Sequence, residues 1–279
     1  MAGESDKSRT GSSTRERVTI PILKEKKRLG QKIVTVTAYD FASARLADRA
    51  GVDIVLVGDT AAIMALGYDT TVPITLDEIL HHVRSVRRGL KGALLLADLP
   101  FGSYESGVED AIRSAVRVMK EGGAQAVKIE GGAWLMDTVR ALTNAGIPVF
   151  GHVGLMPQSV HLVGGHKTQG KEPKQAEQIL SDARALEMAG AIGIVLEAIP
   201  AALAGEITAA LSIPTIGIGA GADCDGQVQV WHDILGIYPG KQYRHVKRYA
   251  SIGETIESAI KIYAEEVRNG EFPTRENSL

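Results

Sequence analysis

Ile54-Val55-Leu56-Val57-Gly58 and Ala93-Leu94-Leu95-Leu96-Ala97 are apolar runs without a polar residue at every second position. A strand with one face in water alternates, whereas a parallel strand sheathed by helices reads as continuously apolar. Outward from these two stretches, short β-branched or aliphatic runs recur at 33–37, 124–129, 148–151, 192–196, 214–218 and 228–232. With 53–57 and 93–97 they give eight expected strands. Helix-length amphipathic segments separate them at 41–50, 76–88, 108–121, 133–145 and 174–189, with Gly51, Gly122, Gly146 and Gly190 placed to end four of these helices. Eight strand-helix units are the number that closes a parallel barrel. An open doubly wound sheet is the competing architecture, but no strand here is followed by a GxGxxG turn opening a helix. The expectation is therefore an α/β fold of the (β/α)8 TIM-barrel type in a single domain.

Composition agrees with this. The 279 residues are 44% hydrophobic and 23% charged, enough for a large core in a soluble chain. There are 31 glycines against 5% aromatics, which suits many tight turns packed by aliphatic residues. Lys plus Arg number 31 against 33 Asp plus Glu, a net charge of -2, so no bulk positive field exists to attract nucleic acid or an acidic membrane. One cysteine, Cys224, excludes an internal disulfide and any cysteine-based zinc site and fits a reducing compartment, so a cytoplasmic location is expected. Residues 1–17 are polar and lack the apolar centre of a signal peptide. A flexible polar head over 1–18 and a catalytic domain over 19–279 with a helical C-terminal tail are expected. The longest apolar run, 191–205, is broken by Glu197 and Pro200 and reads as a buried strand and turn rather than a membrane span.

In such a barrel the reacting groups stand where strands give way to loops at their C-terminal ends. Those exits are acidic here: Asp59 and Thr60 after the second strand, Asp98 after the third, Lys128 and Glu130 on the fourth, Glu197 after the sixth. An Asp after a strand commonly caps the next helix, yet Asp98 is followed by Leu-Pro-Phe, where no helix begins. Lys128 and Glu130 are two apart, so their side chains share one face. Four carboxylates on one rim repel unless protons or a cation separate them, and an oxygen-only donor set suits a hard ion such as Mg2+. His152 ends the fifth strand, either to polarise a carbonyl or to satisfy a buried hydrogen bond, the second being favoured. The GIGAG stretch at 217–221 could cup a phosphate, but close packing at a crowded exit explains it better. Cys224, flanked by carboxylates, is a poor nucleophile. His81 and His82 fall in an expected helix, and Trp134 and Trp231 read as core or interface residues.

Eight motifs then agree in order: VGDT at 57–60, GYDTTVPITLDE at 67–78, ADLPFGSY at 97–104, VKIEGG at 127–132, GHVGLMPQSV at 151–160, GGHKTQG at 164–170, IPTIGIGAG at 213–221 and CDGQVQVWHD at 224–233. Together they resemble the ketopantoate hydroxymethyltransferase family. The resemblance implies Mg2+-dependent transfer of a one-carbon unit from 5,10-methylenetetrahydrofolate to 3-methyl-2-oxobutanoate, giving 2-dehydropantoate on the way to pantothenate. It implies Asp59 and Asp98 as metal ligands, with Glu130 completing or buttressing the metal shell. It implies that Thr60 and Lys128 hold the 2-oxo acid beside Asp59 and Asp98, with Glu197 as proton acceptor; His152, by its place at the strand exit alone, is a second-tier candidate. It also implies a homo-oligomer, commonly a decamer. Two positions depart from the family pattern: Thr60 stands where Ser is usual, and His166 where an aromatic residue is usual. The rival enzyme class is a Mg2+-dependent lyase or mutase of the isocitrate lyase and phosphoenolpyruvate mutase type, whose Lys-Lys-Cys-Gly-His lid motif this sequence lacks. A catalytically inert barrel serving as a scaffold is the non-enzymatic alternative.

Overall fold

The structure, a computed structural model, describes residues 16–165, 167–238, 240 and 243–279. Of the expected polar head, residues 1–15 lie outside that set, as does His166; Val18 is already buried and donates its amide to the carbonyl of Gly92. Helix α1 (Ile20–Arg28) leads into β1 (Ile33–Thr37), α2 (Phe41–Ala50), β2 (Ile54–Val57), α3 (Ala61–Met64), α4 (Leu76–Gly89), β3 (Leu94–Asp98), α5 (Val108–Lys120) and β4 (Ala126–Glu130). There follow α6 (Met136–Asn144), β5 (Val149–Gly154), α7 (Val160–Val163), α8 (Pro173–Met188), β6 (Gly193–Glu197), α9 (Ala201–Ala210), β7 (Thr215–Ile218), β8 (Gly226–Gln229), α10 (Trp231–Leu235) and α11 (Ile252–Asn269). All eight strands are parallel, each paired with the next, and β8 closes on β1. The continuous apolar strands are thus explained by a closed barrel, which buries both faces of every strand.

Alternate residues divide between two cores. Ile33, Ile54, Leu56, Leu94, Leu96, Ala126, Phe150, Val195, Ile216 and Val228 fill the barrel interior. Val55, Val57, Leu95, Ala97, Val127 and Leu196 face outward into a sheath shared with Ile79, Val83 and Val86 of α4 and Leu142 of α6. Phe150 fills the interior beside β6, where a Cβ on Gly193 would lie 2.3 Å from its ring. A glycine is therefore required there to admit the ring.

The same alternation brings the charged residues inward. Along β4, Ala126, Lys128 and Glu130 share the interior face, and the register pairs Asp98 with Lys128, Glu130 with His152, and Gly154 with Glu197. The polar rim is therefore the upper layer of the same column of side chains whose lower layers are Leu96, Ala126, Phe150 and Val195.

Several boundaries differ from the sequence expectation. The last strand lies at Gly226–Gln229 rather than 228–232, because its ladder with β1 ends at Gln229; Trp231 then opens α10 and donates its amide to Thr37 Oγ1. The apolar run 191–205 is strand followed by the start of α9, an alanine-rich helix whose uniform apolarity hides its period. Residues 133–145 begin as a single 3-10 turn before α6. After α5 it is Gly123, not Gly122, that takes the left-handed backbone. Trp134 is 64% exposed and so is not a core residue of this chain. His82 is buried with Nδ1 2.7 Å from the Tyr39 carbonyl.

One side of the barrel lacks its usual cover. Between β7 and β8 no helix intervenes; the connecting chain is held by Lys32 Nζ, which donates to the carbonyls of Ala222 and Cys224. Helix α11 has no buried residue, and Ile252, Ile256, Ile260, Tyr263 and Val267 form an exposed stripe at spacings of three and four. No helix among the described residues is long and apolar enough to cross a membrane.

Candidate active site

Every sequence-expected site residue stands at the C-terminal end of the barrel. Asp59, Asp98, Lys128, Glu130 and His152 are all buried, and Glu197 keeps 19% of its side-chain surface exposed. Lys128 is the hub. Its Nζ lies 3.2 Å from Asp98 Oδ1, 3.3 Å from Glu130 Oε1 and 3.2 Å from His152 Nδ1. His152 Nδ1 is also 3.2 Å from Glu130 Oε1, and its Nε2 is 3.4 Å from Glu197 Oε2. An ammonium only donates and an ionised carboxylate only accepts, so the protonation of Nδ1 decides which of the two it serves. The histidine therefore spans the space between the Lys128–Glu130 pair and Glu197.

The second and third strand exits are tied together by the backbone. The Asp59 amide donates to Asp98 Oδ2 at 3.0 Å, so the two carboxylates come from adjacent strands into one place. Asp59 does not cap α3; Thr60 occupies the N-cap position, and its Oγ1 lies 2.7 Å from the Tyr39 hydroxyl. Glu197 is positioned by strain and close approach. The next residue, Ala198, has φ 48°, the only positive φ at a non-glycine among the described residues, a conformation that an alanine adopts only when its surroundings impose it. Its amide donates to Ile218 and its carbonyl accepts from Gln169. On the other side Gly154 (φ 99°) leaves room for the Glu197 carbonyl, which a Cβ would approach to 2.3 Å.

Burial and mutual charge displace the proton affinities. Asp59 is pushed well above the usual carboxylate range by burial and by the charges of Asp98 and Glu130. Asp98 is raised by burial, against the pull of Lys128. Burial also acts to raise Glu130, but Lys128 and His152 outweigh it and hold the group down to about 2. Glu197 is pushed up to about 8, by burial first and then by Glu130. Lys128 is held above its ordinary value because three carboxylates outweigh burial. The rim thus sets one acid, Glu130, held toward its ionised form by Lys128, against another, Glu197, whose proton affinity is raised, the separation of roles that acid-base chemistry requires.

The donor set fits a hard cation. Asp98 Oδ1 is buried with the Lys128 ammonium 3.2 Å away and no other polar partner among the described residues, and all the acidic donors are oxygen. No three described His, Cys, Asp or Glu side chains converge closely enough to clasp a metal by themselves. Mg2+ characteristically takes one or two carboxylates and fills the remaining positions with water and substrate oxygens, which Asp59 and Asp98 can provide. Both oxygens of Glu130 are engaged, Oε1 by Lys128 and His152 and Oε2 by the Gln158 amide, an arrangement suited to buttressing.

Two residues at the site carry no periodic or charge signal and were invisible to sequence reasoning. Gln158 Nε2 donates to Asp59 Oδ2 at 2.9 Å and to the Leu99 carbonyl at 3.0 Å. Tyr104 donates its hydroxyl to Gln158 Oε1 at 2.6 Å. Both lie inside quoted motifs, but neutral loop residues acquire meaning only from what they touch. Cys224 is buried, and burial raises its thiol pKa, as expected of an inert cysteine. The GIGAG stretch packs closely: a Cβ on Gly217 would lie 2.8 Å from Cys224 Sγ, and one on Gly221 2.5 Å from Ala201 Cβ.

A closed parallel barrel with buried acids, a lysine and a histidine gathered at its strand exits is the site of a TIM-barrel enzyme. The chain belongs to the ketopantoate hydroxymethyltransferase family, whose model matches residues 17–275. It is 53% identical over 264 residues to the 3-methyl-2-oxobutanoate hydroxymethyltransferase of Carboxydothermus hydrogenoformans, spanning 95% of this chain and 96% of that one. The enzyme of the same name from Gluconacetobacter diazotrophicus is also 53% identical, covering 94% of each chain. Among solved structures, a phosphonopyruvate hydrolase complex with oxalate and Mg2+ superposes with a TM-score of 0.61 at 13% identity over 92% of both chains, a likeness of fold alone.

Proposed function

We propose that this protein transfers a hydroxymethyl group from 5,10-methylenetetrahydrofolate to 3-methyl-2-oxobutanoate, giving 2-dehydropantoate. The observation that carries the reading is the gathering on one rim of Glu197, 3.4 Å from His152, with the buried Lys128 beside His152 and Asp98, and with Asp59 and Asp98, two carboxylates free of any helix-capping duty. Asp59 and Asp98 would hold Mg2+, with Glu130 as the buttress that keeps Lys128 and His152 in place. Bound there, the cation would stabilise negative charge on the keto oxygen of the substrate. Lys128 offers its ammonium to the substrate carboxylate, and the Thr60 hydroxyl supplies a further donor at the pocket wall. Glu197 takes the C3 proton of the ketoacid, a task for which a base near neutral pKa is well matched. Water takes the methylene carbon off the two folate nitrogens as formaldehyde and releases tetrahydrofolate; the enolate carbon then adds to the formaldehyde carbonyl, whose oxygen takes up the proton held by Glu197 and becomes the new hydroxyl. His152 stands beside Glu197 and can pass the proton onward.

The lyase or mutase alternative is not favoured, since the only cysteine is the buried Cys224 in an Asp-Cys-Asp-Gly stretch. The exposed apolar stripe of α11 supports self-association, with ten copies as the family resemblance implies, and the cytoplasm suits a biosynthetic enzyme with one reduced thiol. Incubating the protein with 3-methyl-2-oxobutanoate, methylenetetrahydrofolate and Mg2+ and following 2-dehydropantoate tests the proposal. Absence of product, or cleavage of an isocitrate-like substrate in its place, would reverse it.

A further inference from the structure

The polar contacts of Gln158 are directional. Its Nε2 faces Asp59 Oδ2 and the Leu99 carbonyl, both acceptors, so the amide nitrogen must lie on that side. Its Oε1 therefore faces the Tyr104 hydroxyl, which donates at 2.6 Å. Tyr104 oxygen in turn accepts from the Glu130 amide at 3.2 Å, and the Gln158 amide donates to Glu130 Oε2 at 3.1 Å. Gln158 and Tyr104 are both buried. The loop after β5, the loop after β3 and the ends of β2 and β4 thus meet in one hydrogen-bonded ring.

We infer that Gln158, oriented by Tyr104, is a positioning residue that turns the Asp59 carboxylate toward the metal position while holding Glu130 back for Lys128 and His152. The inference rests on the reading of Asp59 as a metal ligand. One oxygen of Asp59 is occupied by the amide, which leaves the other to point at the cation beside Asp98. One oxygen of Glu130 is occupied by the Gln158 backbone, which leaves the other to the lysine and the histidine. A single glutamine so assigns two neighbouring carboxylates to different partners. Supports of this kind around metal-binding carboxylates typically set affinity by about 10- to 100-fold.

The test is titration calorimetry of Mg2+, alone and with saturating 3-methyl-2-oxobutanoate, on the full chain as wild type, Gln158→Met, Tyr104→Phe and the double variant, alongside steady-state kinetics. Gln158→Met keeps the volume and removes the polarity; Tyr104→Phe removes one hydroxyl and carries the test if the first variant does not fold. The expected result is Mg2+ binding weaker by about 10- to 100-fold in Gln158→Met and by roughly 3- to 10-fold in Tyr104→Phe. The double variant should be no weaker than Gln158→Met, because both act through the same amide. The Mg2+ concentration for half-maximal rate should rise in both variants, with kcat at saturating Mg2+ falling less. Unchanged Mg2+ affinity in both variants, with lowered thermal stability, would reduce the ring to a packing role and overturn the inference. A wild type that binds no Mg2+ would overturn the metal reading together with it.

Discussion

Replacing Glu197 with Gln removes a charge while keeping shape, and its consequences can be worked out on two observables. With its pKa raised to about 8 in the metal-free protein, only about a tenth of the carboxylate is ionised at pH 7; bound Mg2+ pulls that value down, so a rate that needs the base should rise by up to about tenfold between pH 7 and its plateau. Gln cannot accept the C3 proton, so turnover should fall by about 10²- to 10⁴-fold and the rising pH limb should vanish, while binding of 3-methyl-2-oxobutanoate is retained. Stability should move the opposite way. A carboxyl whose folded pKa is about 8 against an ordinary 4.5 binds its proton more tightly in the native state, so the native state loses stability as pH climbs from about 4.5 to 8. At about 1.4 kcal/mol per unit the upper bound is about 5 kcal/mol, reduced by the exposed fifth of the side chain and by local relaxation. Glu197→Gln should therefore flatten the decline in stability of the metal-free protein over this range, and urea unfolding at pH 5 and pH 8 reads the difference. Ketoacid binding by calorimetry and turnover from pH 6 to 9 complete the set. A variant with near-normal kcat, or one that keeps the pH limb, would refute the reasoning.

Other outcomes follow from the same geometry. Asp98→Ala removes the acceptor of the Asp59 amide and, on the proposed reading, one metal oxygen, so Mg2+ affinity should drop by about 100-fold in calorimetry; unchanged affinity would remove Asp98 from the metal position. Ala198→Gly relieves the φ 48° backbone and should raise stability by up to about 1 kcal/mol in denaturant unfolding, while kcat falls because Glu197 is less firmly aimed. Ile260→Glu places a charge at the centre of the α11 stripe, where Ile260 is 60% exposed in the single chain, and should shift the protein to smaller species in light scattering with little loss of unfolding free energy per subunit.

Much of the fold was legible because the forces that select it are local and periodic. The apolar runs at Ile54 and Leu94 report burial on both faces, and β1 and α2 lie where the pattern places them. The acidic exits were legible for a different reason: a charged residue at the end of an apolar strand is costly without a partner, so Asp98 and Glu130 announce a site. Where the pattern has no contrast the reading slipped. Helix α9 is almost uniformly apolar and small, and β8 is a four-residue strand of glycine, glutamine and valine, so neither displays a clear period.

The amino-acid order, read alone, determined a closed parallel barrel, an oxygen-rich rim and the family resemblance, since each depends on residue type and spacing along the chain. The tertiary structure decided which neighbour each carboxylate serves: Glu130 with Lys128 and His152, Asp59 with Gln158, Glu197 near neutrality behind a strained alanine. Those assignments are set by distances of about 3 Å between loops as far apart in sequence as Asp59 and Gln158. A hydrogen bond depends on direction and separation in space, and neither exists until the strands have taken their register and closed.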